Sequence, residues 1–262
     1  MAPIRLLCSA TAVVGLALCA ACTAAALPAS SNPAPASAAA PTGPDTDAEC
    51  AALPPFDAVV FTYPSGGDPD APKPSADALK QWAATAVGPV TALADAAPAE
   101  LAAPVATLRA AIDGAAQGTP VDPADQEITA AATAVDKWGY DHCGFGTLDV
   151  TGTGTELPGV PATLPAGPLA VKFDNGGDPA TKGFVLLVAK VRDGAQYTLD
   201  GIRDGSVDFN SIADVVGAAQ PPAGESTGYA VSTLTPGRYL VVSPIGTPPQ
   251  FTGTAAAEFT VT

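Results

Sequence analysis

Apolar residues change their spacing once along this chain, near Gly144. From residue 75 to 138 they follow a helical period. Leu101, Val105, Leu108 and Ile112 fall at steps of four, three and four, which lays one stripe along a helix. Ile128, Val135 and Trp138, with Ala131 and Ala132 between them, make a second stripe, and Leu79, Trp82 and Val87 a third. Asp122 followed by Pro123 suits an N-cap with proline at the first helical position, and Gly139 suits a C-cap. Pro89, Pro98 and Pro104 divide the middle of the region or occupy first turns. Three or four short helices packed through alanine are expected.

Beyond Gly144 the period becomes two. Residues 147–151 alternate, and Leu169, Val171 and Phe173 alternate with Ala170, Lys172 and Asp174. Residues 184–191 are nearly all apolar, as in a strand buried on both faces. Residues 229–234, 238–243 and 258–262 supply further strands, with turns at Asn175-Gly176-Gly177-Asp178 and Pro236-Gly237. One or two short helices are expected within 199–219. The fold class is therefore α+β: a small helical bundle over 47–145, then an antiparallel β-sandwich of about seven strands over 146–262.

The first 21 residues differ from both regions. One charge, Arg5, precedes an apolar run from Leu6 to Ala21, a secretory-signal pattern too short for a membrane span. The run closes on Leu18-Cys19-Ala20-Ala21-Cys22. This resembles the bacterial lipoprotein lipobox, with Cys22 as the lipidated residue, although Cys19 stands where that family prefers leucine. Ordinary cleavage near Ala24–Ala26 and free secretion is the alternative. Residues 22–46 are rich in proline, alanine and serine and bury too little apolar surface to order, so they read as a linker. The expected location is the extracytoplasmic side of the cell membrane, held by the anchor at Cys22.

Charge narrows the partners. The net charge is −15, and residues 45–150 hold 16 acids against four bases. Such a surface repels nucleic acid and anionic headgroups. Outside the cytoplasm Cys50 and Cys143 are expected to be oxidised together, closing a loop of about 94 residues that the chain-entropy model values at roughly 4–5 kcal/mol. Free thiols, or a metal pair with His142, are the alternatives; the spacing is not that of a zinc site.

Catalytic patterns are scarce. His142 is the only histidine, so a Ser-His-Asp triad would have to use it. Asp174 and Asp178 could face a calcium ion, but the segment lacks the spacing of an EF-hand and reads better as a turn. Gly152-Thr153-Gly154 opens no helix and is no dinucleotide loop. Trp82 and Trp138 sit at helical spacing, as core residues do.

Four segments, in order, carry a further resemblance. Leu164-Pro165-Ala166-Gly167-Pro168-Leu169 with Val171-Lys172-Phe173-Asp174-Asn175 is similar to the opening strand of secreted cupredoxin-like domains. Phe184-Val185-Leu186-Leu187-Val188 resembles the strand after their first copper histidine. Leu234-Thr235-Pro236-Gly237-Arg238-Tyr239 resembles the turn and strand leading to their copper cysteine. Pro249-Gln250-Phe251 and Ala257-Glu258-Phe259-Thr260-Val261 resemble the closing segment. The stretch from Trp138 to Phe145 resembles a helical segment fused ahead of such domains in bacterial lipoproteins of unassigned function.

Carried over by position, the resemblance places the copper histidines near Lys182 and at Gln250, the cysteine at Ser243 and the methionine near Ala255. All four are replaced, and a type 1 site needs imidazoles and a thiolate. The resemblance thus implies a cupredoxin-like domain with no metal, no cofactor and no catalysis, serving as a binding or scaffolding module. Its partner would be an envelope protein or a small molecule. Lys182, Ser243 and Gln250 are expected at one loop-rich end. Extracytoplasmic metal handling (calcium, or weak copper or iron binding) and a hydrolase using Ser243 or another serine are the alternatives.

Overall fold

Two prolines stand inside the first helix, α1 (Pro44–Val60), which the apolar period alone does not reveal. Tertiary burial holds it: Ala52, Leu53 and Phe56 lie in the core. The computed structural model describes residues 44–64, 72–122, 125–247 and 250–262. The expected signal segment, Cys22 and nearly all of the linker lie outside the described residues.

Helix α2 (Ala76–Ala96) starts where Ser75 Oγ accepts the amide of Ala78, and it runs through Pro89 without stopping. It buries Leu79, Trp82, Ala83, Ala86, Val90 and Leu93, so the expected Val87 faces solvent instead, 43% exposed. A short 3₁₀ turn (Ala99–Leu101) leads into α3 (Ala102–Ala116). Pro104 is accommodated in the first turn of α3, and the stripe Leu101, Val105, Leu108 and Ile112 is buried as the spacing predicts. Helix α4 (Gln126–His142) is capped by Asp125, whose carboxylate accepts the amides of Glu127 and Ile128. The N-cap is therefore Asp125 rather than Asp122. Gly139 lies inside α4 and is buried, not at its C-cap, for a packing reason given below.

Eight strands follow: β1 (Gly146–Thr151), β2 (Thr163–Leu164), β3 (Gly167–Asp174), β4 (Leu186–Val191), β5 (Ala213–Ala219), β6 (Thr227–Leu234), β7 (Gly237–Thr247) and β8 (Gln250–Val261). Three short helices, α5 (Pro179–Lys182), α6 (Leu199–Arg203) and α7 (Phe209–Ile212), sit in the connections. The short helices expected within 199–219 are α6 and α7, and the span then ends in strand β5, where the β-branched pair Val215-Val216 favours extended backbone. The sheets are ordered β1-β3-β6 and β2-β8-β7-β4-β5. They are not wholly antiparallel, because β1 runs parallel to β3 and β2 parallel to β8.

Alternation explains how the sheets share a core. Leu169, Val171 and Phe173 on β3 face Leu186 and Val188 on β4, and Tyr239, Val241 and Phe259 complete the same cluster. At one edge the two sheets meet, where Ser232 Oγ of β6 donates to Val216 O of β5 over Gly217, giving a curled half-barrel. The outer face of the three-stranded sheet packs on the helices: Val231 of β6 belongs to the helical core. The outer face of the larger sheet buries Ala189, Leu240 and Val242 against Ile202 of α6 and Ile212 of α7. Helices and sheets belong to one compact unit. No helix among the described residues is long and apolar enough to cross a membrane.

Candidate functional site

The connection from β3 to β4 builds one end of the half-barrel from its own side chains. Asp174 Oδ1 accepts the amide of Gly176 at 2.7 Å, and Asn175 Oδ1 accepts that of Gly177 at 2.9 Å. Both glycines have positive φ (61° and 73°), which the Asn-Gly-Gly-Asp sequence allows at little cost. Asp178 caps α5 by accepting Thr181 N and Oγ1. The two carboxylates that a calcium ion could have used are therefore acceptors within a turn. Asn175, nearly fully buried, returns its amide to Gly183 O at 2.9 Å and ties the end of α5 to the sheet.

Three of the four positions that the sequence resemblance assigned to copper ligands meet beneath this turn. Ser243 lies fully buried in β7, and its register partner across β8 is Ala255, also fully buried. Lys182 ends α5 with its ammonium against Gly176, and Gly183 sits directly on Ser243. Gln250 is elsewhere. It pairs with Thr247 at the β7–β8 hairpin end, exposed, on the order of 15 Å along the strand from Ala255. Among lysine, serine, glutamine and alanine there is neither imidazole nor thiolate, so this set does not fit a copper ion. Among the described residues no group of three or more His, Cys, Asp or Glu side chains could hold a metal.

Beside the turn lies a cleft of about 540 Å³ between the 175–184 and 220–226 segments. Its walls include Asn175, Pro179, Phe184, Pro221, Pro222 and Glu225. Phe184 stacks on Phe251, with ring centroids 5.8 Å apart and planes 27° from parallel. Phe251 is 50% exposed, an unusual state for a side chain of that size. The cleft offers an aromatic shelf, rigid proline walls and one carboxylate. That combination is suited to stacking and shape-matching.

His142 is occupied by its own helix. Its ring stacks on Trp138 at 4.7 Å and its Nδ1–H donates to Trp138 O at 3.0 Å. Trp138 in turn donates Nε1–H to Glu100 at 2.6 Å, so both aromatic rings serve the packing of α4. Close by, Cys50 and Cys143 are joined as a disulfide.

Sequence patterns did not point to three acids in the helical layer. Glu49 is fully buried and neither of its carboxyl oxygens has a hydrogen-bond partner. Burial pushes it up to about 7. Asp57 of α1 and Asp136 of α4 are buried against one another and hydrogen-bonded. Burial raises both, Asp136 to about 8, and the neighbouring Asp136 raises Asp57 further. A signal existed: Glu49 precedes Leu53 and Phe56 at helical steps, so it stands on the apolar face.

No protein-family model and no curated protein matches the chain.

Proposed function

We propose that this protein is a lipid-anchored, extracytoplasmic binding module, non-catalytic, built on a metal-free cupredoxin-like sandwich. The strand orders and the single cluster shared by two sheets support the sandwich reading. The disulfide suits an oxidising compartment, and the lipobox-like Cys22 suits attachment to a membrane, with the linker 22–46 as spacer. The observation that carries the binding role is the half-exposed Phe251 stacked on Phe184, which itself lines the cleft. Exposed aromatic rings held over a cleft with stiff walls are placed to bury apolar ligand surface without ordering cost.

The ligand would be an apolar or aromatic segment of an envelope protein, or a small molecule of the same character. A photo-cross-linking residue placed at position 251, with a control at exposed Ser211, tests this in membranes of the producing cell. A discrete adduct at 251 and none at 211 supports the reading; equal labelling at both positions, or none at either, removes it. Metabolic labelling with a fatty acid, lost in Cys22→Ala, tests the anchor separately.

A further inference from the structure

Helices α1 and α4 run antiparallel with matched steps. Cys50 is bonded to Cys143, and seven residues further along α1 and seven residues back along α4, Asp57 meets Asp136. Between these rungs Leu53 lies on Gly139. Disulfide and acid pair are thus two ends of one seam, separated by about 10 Å of helix.

The acid end is the weak one. Both aspartates are 7% exposed, and Asp57 Oδ2 has no hydrogen-bond partner. The backbone between the rungs is also weakened. Pro54 and Pro55 have no amide hydrogen, so α1 lacks the two bonds that would reach back to the carbonyls of Cys50 and Ala51. The segment after the prolines is held by Asp57, by Phe56 in the core, and by Trp82 Nε1–H donating to Val59 O at 3.0 Å.

We propose that the α1–α4 seam is a proton-operated latch: it is closed while Asp57 donates a proton to Asp136, and it opens about the Pro54-Pro55 pair, as far as the Cys50–Cys143 bond permits, when the acid pair ionises. The proton leaves to water and no other bond changes. What remains is buried negative charge with no cation to meet it.

Among the described residues no cation contributes to the field at Asp57 or Asp136. Strand β6 carries no charged residue, and its Tyr229 is engaged by Tyr140 and Lys137 of α4. Lys137 itself pairs with Asp141. On α2, Asp77, Lys80 and Asp95 are exposed; on α3, Arg109 pairs with Asp113. On β3, Lys172 and Asp174 are half-buried, and on β5, Asp214 pairs with Arg192. Glu49 is the other acid buried on α1. Only burial and the two aspartates themselves set the field at Asp57 and Asp136. Burial raises both carboxyls, Asp136 to about 8 and Asp57 well above the ordinary carboxylate range, which places the opening on the alkaline side of neutrality.

Hydrogen exchange of the amides of residues 56–60, corrected for the intrinsic pH dependence, tests the latch on the full chain. Between pH of about 6.5 and about 9.5 the unmodified protein is expected to lose protection there by about tenfold or more, one order per unit of pH past the midpoint. A red shift of Trp82 emission should accompany it. The neutral pair Asp57→Asn with Asp136→Asn should keep its protection within about threefold, while Glu49→Gln should behave as the unmodified protein does. Equal loss in the Asn pair, or a loss abolished by Glu49→Gln alone, overturns the latch. Should the Asn pair not fold, carboxyl ¹³C titration of the unmodified protein decides. A midpoint for Asp57 and Asp136 that differs from the onset of exchange by more than about one unit overturns it as well.

Discussion

A Cβ on Gly139 would stand 2.7 Å from Leu53 Cδ1 and 3.3 Å from Val231 Cγ2. Glycine in mid-helix normally costs about 1 kcal/mol relative to alanine. Here the missing methyl group lets α4 approach both α1 and the sheet. Gly139→Ala is therefore expected to lower stability by about 1 kcal/mol, because overpacking of about 1–3 kcal/mol exceeds the gain in helix propensity. Leu53→Ala alone should cost about 2–5 kcal/mol. Urea unfolding of both single variants and the double variant should give a coupling of at least about 0.5 kcal/mol, the double losing less than the sum.

Glu49 makes stability fall as pH rises. Its carboxyl is raised by burial to about 7 in the folded chain, above its unfolded value of 4.5. Its contribution is therefore intact below pH 4.5, is lost progressively from there to about 7, and levels off above. The loss is roughly 3 kcal/mol. Glu49→Gln should match the native chain at pH near 4 and exceed its stability at pH near 8 by roughly 2–3 kcal/mol in thermal or urea unfolding. Parallel pH profiles for the two proteins would refute this.

The Cys50–Cys143 bond spans a sequence separation of 93 residues, nearly the whole helical layer. In the chain-entropy model such a cross-link contributes about 4–5 kcal/mol. That is a large share of the net stability of a domain. Replacing both cysteines by alanine should lower the urea midpoint accordingly and loosen helices α1 to α4 before the sheets. Exchange that rises equally in both regions would show instead that helices and sheets unfold as one step.

Beneath the β3–β4 turn, Gly183 and Ser243 predict opposite outcomes. Ser243 Oγ is fully buried with no partner, so Ser243→Ala should raise stability by about 1 kcal/mol. Gly183 has φ of 91°, and a Cβ there would fall 2.0 Å from Ser243 Oγ. Gly183→Ala should cost more than about 2 kcal/mol. Combining it with Ser243→Ala should recover the steric part and leave the backbone part, as a double-mutant cycle would read.

Periodicity made much of this architecture legible. The stripe of α3 and most strands follow from local spacing, and Cys50 pairs with Cys143 as the sequence led one to expect. Helix α1 was not legible, because Pro54 and Pro55 mask a helix that only burial of Leu53 and Phe56 sustains. Strand β5 was hidden behind two short helices. At the candidate site, the turn chemistry of residues 174–178 could be read from residue types, and so could the absence of copper donors. The cleft could not, since it needs the 220–226 segment brought beside Phe184, and Phe184 beside Phe251.

By itself the sequence determined most of the elements, the expected disulfide and the donor atoms missing from Lys182, Ser243, Gln250 and Ala255, because these depend on residue identity and short-range spacing. Only the tertiary structure decided that Ser243 is sealed under Gly183 while Gln250 stands apart. It alone placed Asp57 against Asp136, and Phe251 on an open shelf. Those are contacts between residues distant in sequence, set by strand register and by how closely Gly139 lets α4 approach α1 and β6.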